Sequence, residues 1–252
     1  MNSFISRIGG KKLLSKEIIR RFPDSFPERY IEVFGGAGWV LFALQKCAKL
    51  EVFNDIDGQL INLFRCVKYH PEAVQKEIEW VLNSREVFYD FREQQSCRGF
   101  TDIQRAARYF TLIKESYGSD VRSYGCSHRN MDDASKYLTQ VRERLQDTVI
   151  ENRDFEPLIK TYDRPDSLFY LDPPYHGTER HYADAFSEDD HRRLNGSLKS
   201  LKGKFILSYN DDDFIRTLYD GFKIESISRQ NNLAMRNPSA PHEFKELIIT
   251  NF

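Results

Sequence analysis

The chain of 252 residues is 40% hydrophobic and 13% aromatic, so it can bury one sizeable core or a core domain with a smaller insertion. Its 37 lysines and arginines against 38 acidic residues leave a net charge of −1, which excludes a polycation, so contacts with nucleic acid must come from local basic patches. The four cysteines are widely separated and the six histidines lack metal-ligand spacing, which indicates a reducing cytoplasm and disfavours structural zinc. The sequence has no apolar stretch long enough for a membrane span and no signal-peptide core near its start, which also favours a cytoplasmic protein.

The first predicted elements surround glycine-rich turns. Gly10 and Lys11 precede a helix-spaced stretch over residues 13–22, where backbone N–H groups can approach an anion, although a plain N-cap loop is equally natural. Residues 30–34 are predicted to form a strand and residues 39–47 a helix. The turn between them contains Gly35, Gly36, Ala37 and Gly38. A strand, a glycine turn and a helix are typical of the nucleotide-binding end of a Rossmann-like unit, although the full dinucleotide fingerprint is absent.

A second strand, predicted over residues 51–55, ends in an acid. Asp55 follows the start of the glycine turn by about 20 residues, the separation at which an acidic residue of this architecture hydrogen-bonds ribose hydroxyls. The turn alone is a weak indication. Together with the acid and an Asp-Pro-Pro-Tyr segment further along the chain it is specific.

Residues 58–148 are mostly helical by periodicity. Helices are predicted at about 58–69, 71–83, 86–95, 102–116 and 132–146. A loop or small hairpin over residues 117–130 carries Tyr117, Arg122 and Arg129. Interleaved aromatic and basic residues suit contacts with phosphates and base edges, and an ordinary surface connection is an equal alternative.

A third strand is predicted over residues 149–152, followed by Asp154 and Phe155. An acid and an aromatic ring at a strand end can hold a purine, with the acid accepting from an amino group and the ring packing on the base. A helix N-cap is an equally natural interpretation of Asp154.

The most informative stretch, residues 167–175, is an apolar strand that ends in Asp172, Pro173, Pro174 and Tyr175. Neither proline can donate to a sheet, so the chain must leave the sheet at the carboxyl edge, where open α/β sheets bind ligands. An exocyclic amino group is a poor nucleophile because its lone pair is delocalised into the ring. The Asp172 carboxylate and the Pro173 carbonyl are acceptors suited to its two hydrogens, and Tyr175 would stack on a base swung out of a duplex. This pattern predicts methyl transfer to the amino group of a base, although for the segment alone a strand followed by a proline-rich turn with a capping Asp is an equal alternative.

The rest of the chain completes a predicted α/β pattern. A polar loop over residues 176–186, with Tyr182 and Phe186 as its aromatic members, is long enough to close over a site. Helices are predicted from about 187 to 201 and over 211–219, and strands over 205–210, 222–227 and 246–252. The last strand is expected to be antiparallel and to pair with 222–227, with a polar flexible loop at 228–244.

These pieces resemble, in order and over nearly the whole chain, the Dam-like (D12 class) N6-adenine DNA methyltransferases. The resemblance rests on Gly9-Gly10-Lys11, Phe34-Gly35-Gly36-Ala37-Gly38, Asn54-Asp55, Asp154-Phe155 and Asp172-Pro173-Pro174-Tyr175. It implies S-adenosylmethionine (SAM) as cofactor without a metal, double-stranded DNA as partner, and a Rossmann-like α/β fold with a mixed seven-strand sheet. Residues 1–57 and 149–252 would form the catalytic domain, and residues 58–148 an inserted, mainly helical DNA-recognition subdomain.

The resemblance also implies roles by position. Phe34 and the glycine turn would border the methionine end of SAM, Asp55 the ribose, Asp154 and Phe155 the adenine, and Gly10 and Lys11 the neighbourhood of cofactor and DNA. The flipped adenine would be held by Asp172, Pro173, Pro174 and Tyr175. The DNA contacts would be Tyr117, Arg122, Arg129 and Tyr182, with Arg122 five residues after Tyr117, the offset of a base-reading arginine in related enzymes. Residues 118–122 differ from the run usual in relatives that methylate GATC, so the target sequence stays open, as does a restriction endonuclease partner.

Methylation of adenine N6 is the leading hypothesis, and others remain. Cytosine N4 needs the same orientation of an amino group, but those enzymes more often carry Ser at the position of Asp172, and enzymes that methylate Glu or Gln amides tend to carry Asn. A SAM- and DNA-binding module without turnover would be expected to lose Asp172 or the glycine turn. A nicotinamide dehydrogenase would leave the Asp-Pro-Pro-Tyr segment without a role.

Overall fold

The computed structural model describes residues 1–7, 9–25, 27–126, 130–177, 186–230 and 243–252, and over these ranges helices and strands largely alternate outside one helical stretch. The strands are β1 (Arg29–Glu32), β2 (Leu50–Asn54), β3 (Thr148–Glu151), β4 (Ser167–Leu171), β5 (Lys204–Asn210), β6 (Lys223–Gln230) and β7 (Glu243–Thr250). The helices are α1 (Ser15–Ile19), α2 (Trp39–Ala43), α3 (Gly58–Tyr69), α4 (Pro71–Glu79), α5 (Arg85–Gln94), α6 (Asp102–Glu115), α7 (Met131–Leu145), α8 (Phe155–Tyr162), α9 (Glu188–Lys199) and α10 (Asp213–Leu218). No helix in these ranges is long and apolar enough to cross a membrane.

The strands form one sheet in the order β3-β2-β1-β4-β5-β7-β6. Neighbours from β3 to β5 run parallel, whereas β7 is antiparallel to both β5 and β6. The expected mixed seven-strand sheet and its antiparallel final strand are therefore confirmed. The strand order reverses between β1 and β4, and the crevice at such a switch point is where open α/β sheets bind ligands.

An apolar layer covers each face of the sheet, so its central strands are buried on both sides. On one face Phe53 of β2 stacks on Phe64 of α3 with 4.2 Å between ring centroids, and α4, α6 and α7 pack around α3. On the other face α8, α9 and α10 contribute Leu158, Leu194 and Ile215.

The helical stretch between β2 and β3 contains the five helices predicted for it, α3 to α7. It begins as a crossover helix on the sheet, since Lys68 of α3 donates from Nζ to the backbone oxygen of Thr148 at 2.7 Å. Helix α4 ends at Glu79 rather than near residue 83, and the side chains that follow bury little, with Trp80 77% exposed and Leu82 72% exposed. The division into a catalytic domain and a separate subdomain stays a prediction.

Three further predicted boundaries are wrong for identifiable reasons. Helix α1 ends at Ile19, short of residue 22, and the chain continues in tight turns, with the Arg21 and Phe22 N–H groups donating to the Ile18 and Ile19 oxygens, until Pro23 disfavours helical backbone at Phe22. Helix α2 ends at Ala43 because the backbone of Leu44 is extended. The loop predicted over 228–244 is shorter, since β6 and β7 stay paired as far as residues 230 and 243. Antiparallel pairing uses backbone groups, so polar side chains on an edge strand do not end it. Residues 231–242 of this loop lie outside the described ranges.

Asn54, at the end of β2, ties the carboxyl ends of three strands together. Its buried side chain donates to the backbone oxygens of Val33 at 2.8 Å and Arg153 at 3.0 Å, and it accepts from the Arg153 N–H at 2.9 Å. Because Val33 follows β1 and Arg153 lies just beyond β3, one amide fixes the relative positions of three strand ends at the edge where ligands are expected.

The substitution Asn54→Ala is expected to lower the free energy of unfolding by about 2–4 kcal/mol, because it leaves buried backbone groups without partners. Urea unfolding followed by circular dichroism measures this change. Asn152→Ala is the matched control, since its exposed amide also bridges backbone oxygens, of Asp55 and Ile56, and water can replace it there at a cost below about 1 kcal/mol. Equal losses for the two variants would contradict the role given to Asn54.

Candidate active site and cofactor cleft

A cleft opens at the switch point between the carboxyl ends of β1 and β4. Its walls come from the N-terminal segment, the glycine turn, the ends of β2 and β4, and the start of α8. The predicted site residues that line it are Gly10, Lys11, Phe34, Gly35, Gly36, Ala37, Gly38, Asp55, Asp154, Phe155, Asp172 and Pro174. Segments far apart in the sequence are thus brought to one cavity. Of the remaining residues predicted for the active site, Pro173 is buried and Tyr175 is half-buried beside Lys11.

The glycine turn is shaped by two constraints. A β-carbon on Gly35 would lie 2.4 Å from ring carbons of Phe53, so only hydrogen fits there. Gly36 and Gly38 have φ values of +50° and +69°, in the left-handed region that favours glycine. The Gly38 N–H donates to the Gly35 oxygen at 2.7 Å, which closes the turn. The turn therefore brings backbone rather than side chains to the cleft wall.

Asp55 lines the cleft and also binds the backbone of the glycine turn. Its carboxylate accepts from the Gly36 N–H at 2.8 Å and from the Asp57 N–H at 2.9 Å. Burial raises the pKa of Asp55, and the nearby Arg7 guanidinium opposes that shift. The sequence suggested a ribose contact for this acid, and the structure adds a positioning function that the sequence did not indicate.

Arg7 and Asp57 form a neighbouring ion pair that the sequence did not reveal. Arg7 contacts Asp57 at 2.9 Å, and the Tyr109 hydroxyl of α6 donates to the same carboxylate oxygen at 2.8 Å. Burial acts to raise the pKa of Asp57, but Arg7, backbone donors at the start of α3 and Tyr109 together hold it below its ordinary value. This cluster joins the N-terminal segment to the helical stretch at the edge of the cleft.

An aromatic wall closes one side of the cleft. Phe34 lies 5.7 Å from Phe155 and 5.8 Å from Phe186 between ring centroids, and Phe155 lies 5.8 Å from Phe186. Phe186, which directly precedes the α9 N-cap, was not among the predicted site residues. The three rings form an apolar surface of the kind that packs on a planar base.

Asp154 is both a helix N-cap and a cleft residue, so the two interpretations of it are compatible. It accepts from the Glu156 N–H at 3.0 Å at the start of α8. Arg193 of α9 binds its two carboxylate oxygens at 2.6 and 2.7 Å, and this guanidinium also lies 4.4 Å from the centre of the Phe155 ring. Arg193 therefore orients the acid and the ring proposed to hold a purine.

The Asp172 carboxylate sits in a largely buried, charged environment. Lys11 Nζ lies 3.0 Å from its Oδ1 atom, and the Ser208 hydroxyl donates to the same oxygen at 2.8 Å. Burial raises the pKa of Asp172, and Lys11 and Ser208 oppose that shift by favouring the charged form. Since both described contacts use Oδ1, Oδ2 is the oxygen available to a substrate among the residues described.

Tyr175 is anchored by its hydroxyl rather than left to swing freely. The hydroxyl donates to Glu246 Oε2 at 2.8 Å, and Lys11 Nζ donates to the hydroxyl. The Lys11 ammonium also lies 4.4 Å from the centre of the Tyr175 ring. Burial raises the pKa of Tyr175 well above its ordinary value, so the hydroxyl stays protonated at neutral pH.

Two of the predicted DNA-binding residues, Tyr117 and Arg122, lie on a separate hairpin. Ser116 and Tyr124 form an antiparallel bridge, and the Gly125 N–H donates to the Glu115 oxygen at 2.7 Å, which confirms a small hairpin after α6. Tyr117 is 70% exposed and Arg122 is also exposed at its tip. Arg129 and Tyr182 lie outside the described residues, so their roles stay predictions.

The order of these segments matches a known family. A sequence model described as the D12 class of N6 adenine-specific DNA methyltransferases matches residues 8–233. The chain belongs to this family. It is 25% identical over 268 residues to the type II methyltransferase M.CviBI of Paramecium bursaria Chlorella virus NC1A, with all of both chains covered. It is 26% identical to a DNA adenine methylase of Haemophilus influenzae over 97% of this chain and 92% of the relative.

Among solved structures, the chain is similar to the rRNA methyltransferase aviRa of Streptomyces viridochromogenes, with 12% identity, a TM-score of 0.45, and coverage of 100% of this chain and 90% of that one.

The family membership confirms the resemblance seen in the sequence. The protein is an adenine-specific DNA methyltransferase, so adenine N6 rather than cytosine N4 is its target.

The close packing of Gly35 gives a direct test of the cleft geometry. Gly35→Ala is expected to lower the unfolding temperature by roughly 5 °C, because its β-carbon would overlap the Phe53 ring and force the turn to shift. Differential scanning calorimetry measures this shift. Gly196→Ala in α9 is the control, since no atom lies within 4 Å of its β-carbon position and alanine favours a helix. An unfolding temperature for Gly35→Ala equal to or above that of the original protein would contradict this account of the turn.

Proposed function

We propose that this methyltransferase binds SAM in the switch-point cleft and methylates an adenine that is flipped out of duplex DNA against Asp172. The observation that carries this proposal is the position of Asp172. The segment that follows β4 lies at the rim of the same cleft whose floor is the glycine turn after β1. A methyl donor in the cleft and an amino group at Asp172 would then be neighbours.

The residues present fit SAM. Gly36, with no atom within 4 Å of its β-carbon position, presents backbone to open space where a ligand could lie. The aromatic wall of Phe34, Phe155 and Phe186 suits the adenine ring, and Asp154 supplies an acceptor beside it. Asp55, held below the turn, suits the ribose hydroxyls. When bound, SAM supplies an electrophilic methyl group on a sulfonium.

Asp172 and Pro173 would prepare the amino group for attack. Accepting its two N–H hydrogens at Asp172 Oδ2 and at the Pro173 carbonyl fixes the nitrogen so that its lone pair points toward the cleft. Lys11 and Ser208 support this by occupying Oδ1 and by favouring the ionised carboxylate. Catalysis then comes from orientation and from exclusion of water by the apolar wall.

Tyr175 and Pro174 would confine the flipped base. Lys11 lies over the Tyr175 ring at 4.4 Å, so the base would use the ring surface that the lysine does not cover. The anchored hydroxyl keeps that ring in place before the base arrives, which limits the ordering cost of binding.

The helical stretch of residues 58–148 would serve as the DNA-recognition subdomain. Exposed Tyr117 and Arg122 at the hairpin tip support this role because phosphate contacts and guanine readout need accessible side chains. Arg129 and Tyr182 are included as predicted DNA contacts. A restriction endonuclease partner remains a prediction, since relatives named as type II methyltransferases support it only by analogy.

The first experiment combines the purified protein with SAM and mixed-sequence unmethylated duplex DNA, followed by mass spectrometry of the digested nucleosides. N6-methyladenine is the expected product. N4-methylcytosine, or no methylated base, would overturn the proposed reaction.

The Asp172→Ala variant is expected to lower the turnover rate on the order of 10²- to 10³-fold, because the amino group loses a preorganised acceptor. Its dissociation constant for SAM, measured by calorimetry, should stay within about threefold, since the glycine turn, Asp55 and the aromatic wall that fit SAM are unchanged in this variant. Asp166→Ala is the control, because this acid precedes the same strand at its opposite end and forms an exposed ion pair with Arg29. Full turnover in Asp172→Ala would remove Asp172 from the mechanism.

Arg122→Ala is expected to relax sequence discrimination at one base pair by about 10- to 100-fold, because a base-reading arginine contributes about 1–3 kcal/mol. Sequencing of methylated sites after limited reaction measures the change. Arg98→Ala, an exposed arginine outside the hairpin, should weaken DNA binding equally for all sequences or leave it unchanged. Unaltered discrimination in Arg122→Ala would show that Arg122 does not read a base.

A further inference from the structure

A buried acid from the antiparallel part of the sheet reaches the active site. Glu246 lies on β7, where it pairs with Asn210 of β5 and Ile227 of β6. Its side chain is charged but only 3% exposed, and it directly precedes a run of buried aliphatic residues. A carboxylate is rarely buried in this way unless it is paired, so its contacts indicate what it does.

Glu246 contacts two residues of the proposed catalytic group. Its Oε2 atom accepts from the Tyr175 hydroxyl at 2.8 Å and lies 3.4 Å from Lys11 Nζ. Lys11 in turn donates to the Tyr175 hydroxyl and lies 3.0 Å from Asp172. The four side chains thus form one connected group, although they come from the N-terminal segment, the loop after β4, and β7.

We propose that Glu246 is a positioning residue of the active site, which holds Lys11 and Tyr175 against Asp172 and sets the local charge. This inference rests on the proposed role of Asp172 in methyl transfer.

Glu246 gives Lys11 a second negatively charged partner in addition to Asp172. Lys11 Nζ donates to the Tyr175 hydroxyl and lies 3.0 Å from Asp172 and 3.4 Å from Glu246, with the Gly9 backbone oxygen at 3.5 Å as a further acceptor. Without Glu246 the lysine would lose one charged partner, and the Tyr175 hydroxyl would lose its acceptor. The Lys11 and Tyr175 side chains could then shift, and Lys11 would no longer hold the Asp172 carboxylate in place.

The charges also have a consequence for pH dependence. The titratable groups around Asp172 are Lys11, Glu32, Tyr170, Tyr175, Tyr209 and Glu246. Burial raises the pKa of Asp172 first, and the negative charge of Glu246 raises it further, while Lys11 lowers it. Removing the charge of Glu246 should therefore lower the pKa of Asp172 and move the acid limb of the turnover profile to lower pH.

The test compares Glu246→Gln, which keeps the size of the side chain and an acceptor oxygen, with Tyr175→Phe, which keeps the ring and removes the bridging hydroxyl. Single-turnover methylation is measured for each variant and for the double variant across the pH range. Glu246→Gln is expected to slow methyl transfer about tenfold or more and to shift the acid limb to lower pH, with the dissociation constant for SAM within about threefold. The double variant should be hardly slower than the slower single variant, because both substitutions break one connected group.

Glu225→Gln is the matched control. This acid lies on the neighbouring strand β6 and is also ion-paired, to Arg21 at 2.9 Å, but it is partly exposed and remote from Asp172 in the contacts described. Its rate and pH profile should equal those of the original protein.

Two results would overturn the inference. One is an unchanged rate and pH profile in Glu246→Gln, and the other is multiplicative rate losses in the double variant, which would mean that Glu246 and Tyr175 act independently. Should Glu246→Gln fail to fold, Tyr175→Phe still tests the inference. If the Tyr175 hydroxyl bridges Lys11 and Glu246, this variant should methylate more slowly with unchanged SAM binding. An unchanged rate would reject the connected group of Lys11, Asp172, Tyr175 and Glu246. Failure of the proposed function is distinguishable, because the original protein would then form no N6-methyladenine at all.

Discussion

A buried lysine paired with carboxylates is the interaction on which the proposed active site depends. Lys11 comes from the N-terminal segment, Asp172 from the end of β4 and Glu246 from β7, and the lysine lies within 3.4 Å of both acids. Breaking a buried ion pair by removing one partner leaves an uncompensated charge, so these three segments can only be buried together. The Asp-Pro-Pro-Tyr segment is therefore held in place by residues at both ends of the chain.

The cofactor cleft depends on a second set of constraints, which act on backbone rather than on charge. Asn54 joins the ends of three strands, and Asp55 holds the Gly36 N–H. Gly35 permits contact with Phe53 that no other residue allows. These groups lie at the turn or at the end of β2, and Asn54 also binds Arg153 beyond β3, so the cleft depends on all three strand ends. The cleft and the charged group meet at the switch point, where Asp172 belongs to both.

Local pattern was enough for most of the fold. The helices between β2 and β3 were predicted because each one has an apolar stripe at helical spacing, and the strand before Asp172 was predicted because prolines end an apolar run. The boundaries that failed, at α1, α2 and the ends of β6 and β7, are those set by a following proline, by a local change of backbone, or by pairing with a distant strand. The domain division at residues 58 and 148 and the DNA contacts beyond the described ranges remain predictions.

The sequence by itself determined the family, the order of the strands and helices along the chain, and about half of the residues that line the cleft, because these depend on short segments whose chemistry can be recognised in isolation. Only the tertiary structure decided that Arg193 binds Asp154, that Phe186 completes the aromatic wall, and that Glu246 reaches Lys11 and Tyr175. Each of these is a contact between segments far apart in the chain, and an arginine on a helix or a glutamate in a strand has no local feature that marks its partner. Long-range pairing is set by how the sheet and its helices pack, and that information is not carried by any one segment.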